Sequence, residues 1–146
     1  MEWHAGLETG DELVDRQHRA LHEIFDELEA AEGRPEDIMR VLERLADYTL
    51  IHFATEEALM HRSGYPPEKI REHVALHQGL TEATRQRILE FRSGQLTETK
   101  PLVEFLREWI AGHLHEQDRD LVTFVQARGQ AAVLPDGPDL PAEDTL

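Results

Sequence analysis

The sequence predicts an all-α protein, an up-down-up-down four-helix bundle with an N-terminal arm and a C-terminal tail. Three observations predict it. Gly and Pro punctuate the chain at three internal places: Gly33-Arg34-Pro35, Ser63-Gly64-Tyr65-Pro66-Pro67, and Ser93-Gly94 with Lys100-Pro101 beyond. The four stretches between them, about 12–31, 36–62, 67–92 and 101–127, are rich in Leu, Glu, Arg and Ala and repeat their apolar residues with helical period. The joining segments are short, which makes sequential helices antiparallel neighbours. Strand signals are weak throughout.

Each element follows from its residues. The first ten residues hold Trp3 and Leu7, and read as a non-helical arm whose apolar side chains lie on the bundle. Helix one carries Leu21, Ile24, Phe25 and Leu28 on one side. Helix two carries Ile38, Val41, Leu42, Leu45, Phe53, Leu59 and Met60. Helix three has Ile70, Val74, Leu76, Leu80, Ile88 and Phe91, and helix four has Leu102, Leu106, Trp109, Ile110, Leu121 and Phe124. The folded domain is expected over residues 1–128. From 129 to 146 the chain holds Pro135, Pro138 and Pro141 among Asp136, Asp139, Glu143 and Asp144, and reads as a mobile acidic tail.

Composition removes whole classes of function. Among 146 residues, Asp plus Glu total 30 and Lys plus Arg 15, a formal net charge of -15. Binding to nucleic-acid phosphates or anionic lipid relies on Lys and Arg, so both partners are disfavoured. There is no cysteine, which excludes disulfides, zinc–thiolate sites and cysteine-ligated iron–sulfur clusters. No apolar run approaches the ~18 residues of a membrane span. Met1 to Gly10 lacks a basic apolar leader, so a cytoplasmic location is expected.

Nine histidines stand out. On helical projections, His52 lies about 40° from the centre of its apolar stripe and Glu56 close to the centre itself. His73 and His77 fall within roughly 30° of the centre of theirs. His113 is well inside its stripe, and His18 is at the edge. His22, His61 and His115 project away from the stripes, and His4 belongs to the arm. These four are expected in solvent. Any one inward histidine reads most simply as a satisfied core residue. Five with a central glutamate do not, because each imidazole and the carboxylate need partners out of water. A metal centre supplies them. His52 with Glu56 and His73 with His77 are four residues apart and stack on one helix face. Five nitrogens and a carboxylate exceed the needs of one tetrahedral zinc, so two metals are the simpler reading, and imidazole with bridging carboxylate suits iron. A second bridging carboxylate is needed. Asp118 is five residues after His113, about 140° round an ideal helix, so it serves only from the flank or if a local bulge turns it inward.

With these residues in place the sequence resembles the hemerythrin family in its single-domain bacterial form. The resemblance runs from Trp3 to about Leu121. It rests on Val14-Asp15-Arg16-Gln17-His18-Arg19-Ala20-Leu21, His52-Phe53-Ala54-Thr55-Glu56-Glu57 with Met60, Gly64-Tyr65-Pro66, His73 with His77, and Trp109-Ile110 followed by His113 and Asp118.

The resemblance implies a cofactor of two Fe ions, Fe2+ or Fe3+, with a solvent-derived oxo or hydroxo bridge. His73, His77 and His113 would bind one iron, and His18 and His52 the other. Glu56 and Asp118 would bridge both, leaving an open position for reversible O2 binding on the two-histidine iron. Trp109 and Ile110 would pack against that position, with Phe25 and Phe53 as further lining. O2 carriage, storage or delivery to a downstream oxidase by a monomeric chain is the function implied. An oxygen or redox sensor and a di-iron oxidase or peroxide-handling enzyme are the alternatives. A ferritin-like oxidase is disfavoured because no histidine has Glu three residues before it. A zinc hydrolase is disfavoured because His22-Glu23 and His115-Glu116 are followed at the fifth position by Asp26 and Arg119, not by His.

Overall fold

A computed structural model describes residues 5–95, 98 and 100–134. Trp3, His4, the side chain of Ile110 and the chain from 135 onward lie outside the described residues, and with them the expectations attached to those positions. The helices are α1 (Glu12–Ala30), α2 (Pro35–Ser63), α3 (Pro67–Arg92), α4 (Lys100–Trp109) and α5 (Asp118–Ala127). A π-helical segment, Ile110–Gln117, joins α4 to α5 without a loop, so the last three elements form one rod. The result is the predicted four-helix bundle, with each rod ending within one residue of its expected limits. Among the described residues there is no strand.

The ends of the rods follow from local chemistry. The carboxylate of Asp11 caps α1 by accepting from the Val14 N–H at 3.0 Å. Pro35 and Pro67 stand in the first turns of α2 and α3, where no N–H is needed. Gly64 ends α2 at φ 74°, a left-handed conformation that turns the chain toward α3.

The apolar stripes build two cores. One packs Leu21, Phe25, Leu28, Leu42, Leu45, Phe53, Leu102, Leu106 and Trp109. The other packs Val14, Leu59, Met60, Tyr65, Leu121, Val122 and Val125. Each fully buried Leu or Phe contributes about 2 kcal/mol. Between the two cores, at the waist of the bundle, sit the inward-facing histidines. The third rod is the outer one. It packs mainly on α2, and few of its residues are fully buried. Leu76, expected on its inner stripe, is 40% exposed.

The chain beyond α5 is tied back to the bundle at Ala131 and Ala132. Ala132 is buried, and its N–H donates to Asp11 Oδ2 at 2.8 Å. The Arg62 guanidinium donates to the Ala131 carbonyl at 2.6 Å. Within the segment expected as a tail, Ala131 and Ala132 are thus held, while 129–131, 133 and 134 are exposed. Across the same seam Gln126 Nε2 donates to the Gly10 carbonyl at 2.8 Å, and Arg119 to that of Gly6 at 2.7 Å.

Asp11 thus caps one helix with one oxygen and holds the returning chain with the other. Replacing it with Ala is expected to cost about 2 kcal/mol in denaturant unfolding, one lost cap plus one buried N–H left unpaired. Hydrogen exchange at the Ala132 amide should accelerate in the same variant.

Candidate metal centre

Seven side chains from every rod converge at the waist. His18 comes from α1, His52 and Glu56 from α2, His73 and His77 from α3, His113 from the π segment, and Asp118 from the first turn of α5. All seven are buried, and His18, His52, Glu56 and Asp118 have no exposed surface. The five imidazoles present Nε2 inward. His18 and His52 meet at 3.2 Å, and His77 and His113 at 3.1 Å.

Asp118 lies between these groups. Its Oδ2 is 2.9 Å from Nε2 of both His18 and His52. Its Oδ1 is 3.2 Å from His73 Nε2 and 3.4 Å from His113 Nε2. One carboxylate oxygen faces each half of the cluster. Glu56 Oε1 is 3.1 Å from His77 Nε2 and 3.3 Å from His52 Nε2. Two sets of donor atoms are close enough to share an ion: Glu56, His73, His77, His113 and Asp118 in one, His18, His52 and Asp118 in the other.

The π segment explains why Asp118 belongs. The Asp118 N–H bonds to the His113 carbonyl, five residues back, so the helix is widened there by one residue. Residue i+5 then lies above residue i, and Asp118 comes onto the face of His113. The ideal α-helical projection had placed it outside, with a bulge as the remedy, and the bulge is present.

Three of the imidazoles are aimed by hydrogen bonds at their outer nitrogens. His52 Nδ1 is 2.8 Å from Gln17 Oε1, and Gln17 in turn donates to Thr55 Oγ1 at 3.0 Å. His77 Nδ1 is 2.9 Å from Glu57 Oε2, and His113 Nδ1 is 2.6 Å from Gln117 Oε1. An acceptor at Nδ1 fixes the proton there and leaves the Nε2 lone pair pointing inward, as metal-binding imidazoles require. Helical projection did not single out Gln17, Glu57 or Gln117 for this. The signal was available for Gln117, which is four residues after His113.

Aromatic rings close the cluster. Phe53 stacks on His77 with centroids 3.8 Å apart and planes 8° from parallel, and meets Trp109 edge-on at 6.0 Å. Trp109 also lies over His113 at 6.5 Å. Phe25 is part of the adjoining apolar core.

Charge at the waist is unbalanced by protein alone. Burial works against ionised Glu56, yet His52 and the hydrogen bonds around it hold the carboxyl well below its usual range. Burial opposes ionised Asp118 too, as does Glu56, but the neighbouring imidazoles His113 and His18 keep it low. Burial disfavours charge on His52 and His73, and the two carboxylates outweigh it, raising His52 and lifting His73 to about 10. Even so, Glu56 Oε2, Asp118 Oδ1 and His73 Nε2 are buried without a hydrogen-bond partner among the described residues. Such orphans cost about 1–3 kcal/mol each. Nitrogen and oxygen donors of this kind, too many for one tetrahedral ion and divided by a two-faced carboxylate, fit a pair of transition-metal ions.

The other histidines divide. His61 is exposed, as expected. His22 is not: it is 2% exposed, and its Nε2 lies 3.0 Å from Nε2 of His115, which is itself half-buried. Both were expected in solvent. The widened helix rotates His115 toward α1, and the apolar stripe of α1 does not mark a side chain whose partner is another imidazole. Burial and the nearby His18 and His22 lower His115 to about 4, so His115 is neutral at pH 7.

Fold and site define a class: a four-helix bundle with a buried, histidine-rich centre fit for two metal ions. Residues 9–125 match the family model described as the hemerythrin HHE cation binding domain. The chain belongs to the hemerythrin family. It is 32% identical over 126 residues to a bacteriohemerythrin of Pseudomonas aeruginosa, covering 85% of this chain and 80% of that one. It is 28% identical over 122 residues to a bacteriohemerythrin of Methylococcus capsulatus, covering 82% and 92%. The crystal structure of a wild-type hemerythrin superposes with a TM-score of 0.77 at 27% identity, covering 84% of this chain and 95% of that one. No helix among the described residues is long and apolar enough to cross a membrane.

Two outcomes follow from this geometry. In the metal-free protein, folding raises His73 from 6.5 to about 10, so its contribution is full below pH 6.5 and is lost as pH rises toward 10. Thermal melts of the apoprotein across that range should show a decline that His73→Gln removes. His22→Ala, in contrast, should cost about 1–3 kcal/mol by removing a buried imidazole and its hydrogen bond to half-buried His115. Metal analysis of that variant should match the parent.

Proposed function

We propose that this chain holds two iron ions at the waist and binds O2 reversibly there. His73, His77 and His113 bind one iron, His18 and His52 the other, and Glu56 with Asp118 bridge them. The observation that carries the reading is Asp118, fully buried with one oxygen toward each histidine group. Membership of a cation-binding family supports it.

Two ferrous ions held by these residues would supply the electrons that O2 takes up on binding and would take them back when it leaves. The chain's own residues govern everything around that exchange. Five neutral imidazoles and two carboxylates give few anionic donors, which restrains the centre from more oxidised states. Gln17, Glu57 and Gln117 hold His52, His77 and His113 in one tautomer, so none of these three rings offers a labile proton at its inner nitrogen. The two apolar cores and the Phe53–Trp109 pair exclude water, which protects a bound ligand from proton exchange. Binding followed by release, and not turnover, is the outcome such a pocket favours.

The reading is tested on the iron-loaded, reduced protein. Its optical spectrum is recorded without oxygen, in air, and after purging. An absorption band that appears in air and vanishes on purging is expected. A single irreversible change to a stable ferric spectrum would refute O2 carriage. The assignment is tested apart from this by metal content. Two irons per chain are expected in the parent, and fewer after His52→Ala, His77→Ala or Asp118→Ala, with a lower melting temperature because ligation and folding are linked.

A further inference from the structure

The waist is sealed, and its metals must nevertheless get in. Four of the seven cluster residues have no exposed surface at all. Phe53 covers His77 face to face. His73 differs. It is 5% exposed and lines a cavity of about 230 Å³ that opens to the surface between α3 and the start of α5. Glu72 and Asp120 stand exposed at its rim, with Lys69 beside them. Gln117, half-buried, lines the wall, and its amide oxygen already holds His113. Tyr65 lines another side, with the Lys69 ammonium 5.8 Å from its ring centre.

The ligands in this cavity form a graded path. Two exposed carboxylates come first, then a side-chain amide oxygen, then a buried imidazole. The Nε2 of that imidazole has no hydrogen-bond partner and lies 3.2 Å from Asp118 Oδ1. Hard oxygen donors at the rim suit a hydrated divalent cation, and nitrogen donors inside suit the same ion after it loses water. A rim of one charge sign in a low-dielectric wall also concentrates cations locally.

We propose that this cavity is the entry port for divalent iron, with Glu72 and Asp120 as its capture site and His73 as the residue that passes the ion inward. The inference rests on the two-iron reading above and adds a route to it. Capture by Glu72 and Asp120 governs the rate of loading and not the final occupancy, because neither touches the cluster. Lys69 opposes capture.

The test uses the full-length metal-free protein mixed anaerobically with Fe2+. The reaction is stopped with EDTA at intervals, and retained iron is counted after desalting. The variant Glu72→Gln with Asp120→Asn is expected to load about 10-fold more slowly than the parent yet to finish at the same iron content. Glu32→Gln with Glu104→Gln makes the same change in net charge around a different surface cavity, and should load at the parent rate. Lys69→Gln should load faster. Parent-like loading by the Glu72/Asp120 variant would overturn the port, as would equal slowing in the Glu32/Glu104 control. Failure of the parent itself to retain two irons would overturn the two-iron reading, a result separate from any difference in rate.

Discussion

The structure depends on one electrostatic constraint: two ionised carboxylates and five imidazoles are held together where no water reaches them. Such a cluster is costly in any fold unless every lone pair meets a positive partner. The rest of the architecture answers that cost. Two apolar cores flank the cluster on either side and supply the burial that holds the rods together. Outer hydrogen bonds to Gln17, Glu57 and Gln117 fix the orientation of His52, His77 and His113. The remaining orphans, Glu56 Oε2, Asp118 Oδ1 and His73 Nε2, are what a pair of cations would satisfy.

The π segment is the second requirement. A straight helix cannot place both His113 and Asp118 on one face at a spacing of five. One inserted residue does so, at the expense of weaker backbone geometry over Ile110–Gln117. The bulge therefore occurs at the functional centre, where irregular backbone most often has a purpose. It also swings His115 against His22, so one local irregularity shapes both buried histidine groups.

Much of this was legible in the sequence because helical period is a strong signal over rods of this length. Ile38 to Met60 and Leu21 to Leu28 mark their faces clearly, and the same arithmetic puts His52, Glu56, His73, His77 and His113 inward. It fails where its two assumptions fail. It assumes a constant turn per residue, and the π segment breaks that for His115 and Asp118. It also takes apolar side chains as the mark of the core, and so misses His22, whose buried partner is another histidine. Leu76 errs the other way. Its rod packs mainly against α2, so the buried stripe of α3 is narrower than its apolar residues suggest. Of the partners at Nδ1, only Gln117, four residues after His113, had a local signal; Glu57 and Gln17 each reach a ring on another helix, which the spacing does not mark.

The seam between the arm and the end of the bundle has a consequence for the order in which the protein is made. His18 meets Asp118 across 100 residues of sequence, and Asp11 meets Ala132 across 121. Contacts that close such long loops form late, because their entropy must be met before they return anything. On the ribosome, four of the five inward histidines and Glu56 emerge well before Asp118, and the segment that locks the last rod against Asp11 emerges after it. Until then the partly made chain displays imidazoles with no bridging aspartate between them. Every residue of the cluster has been made once Asp118 has, but the seam that ties the last rod to Asp11 can close only after Ala132 has followed.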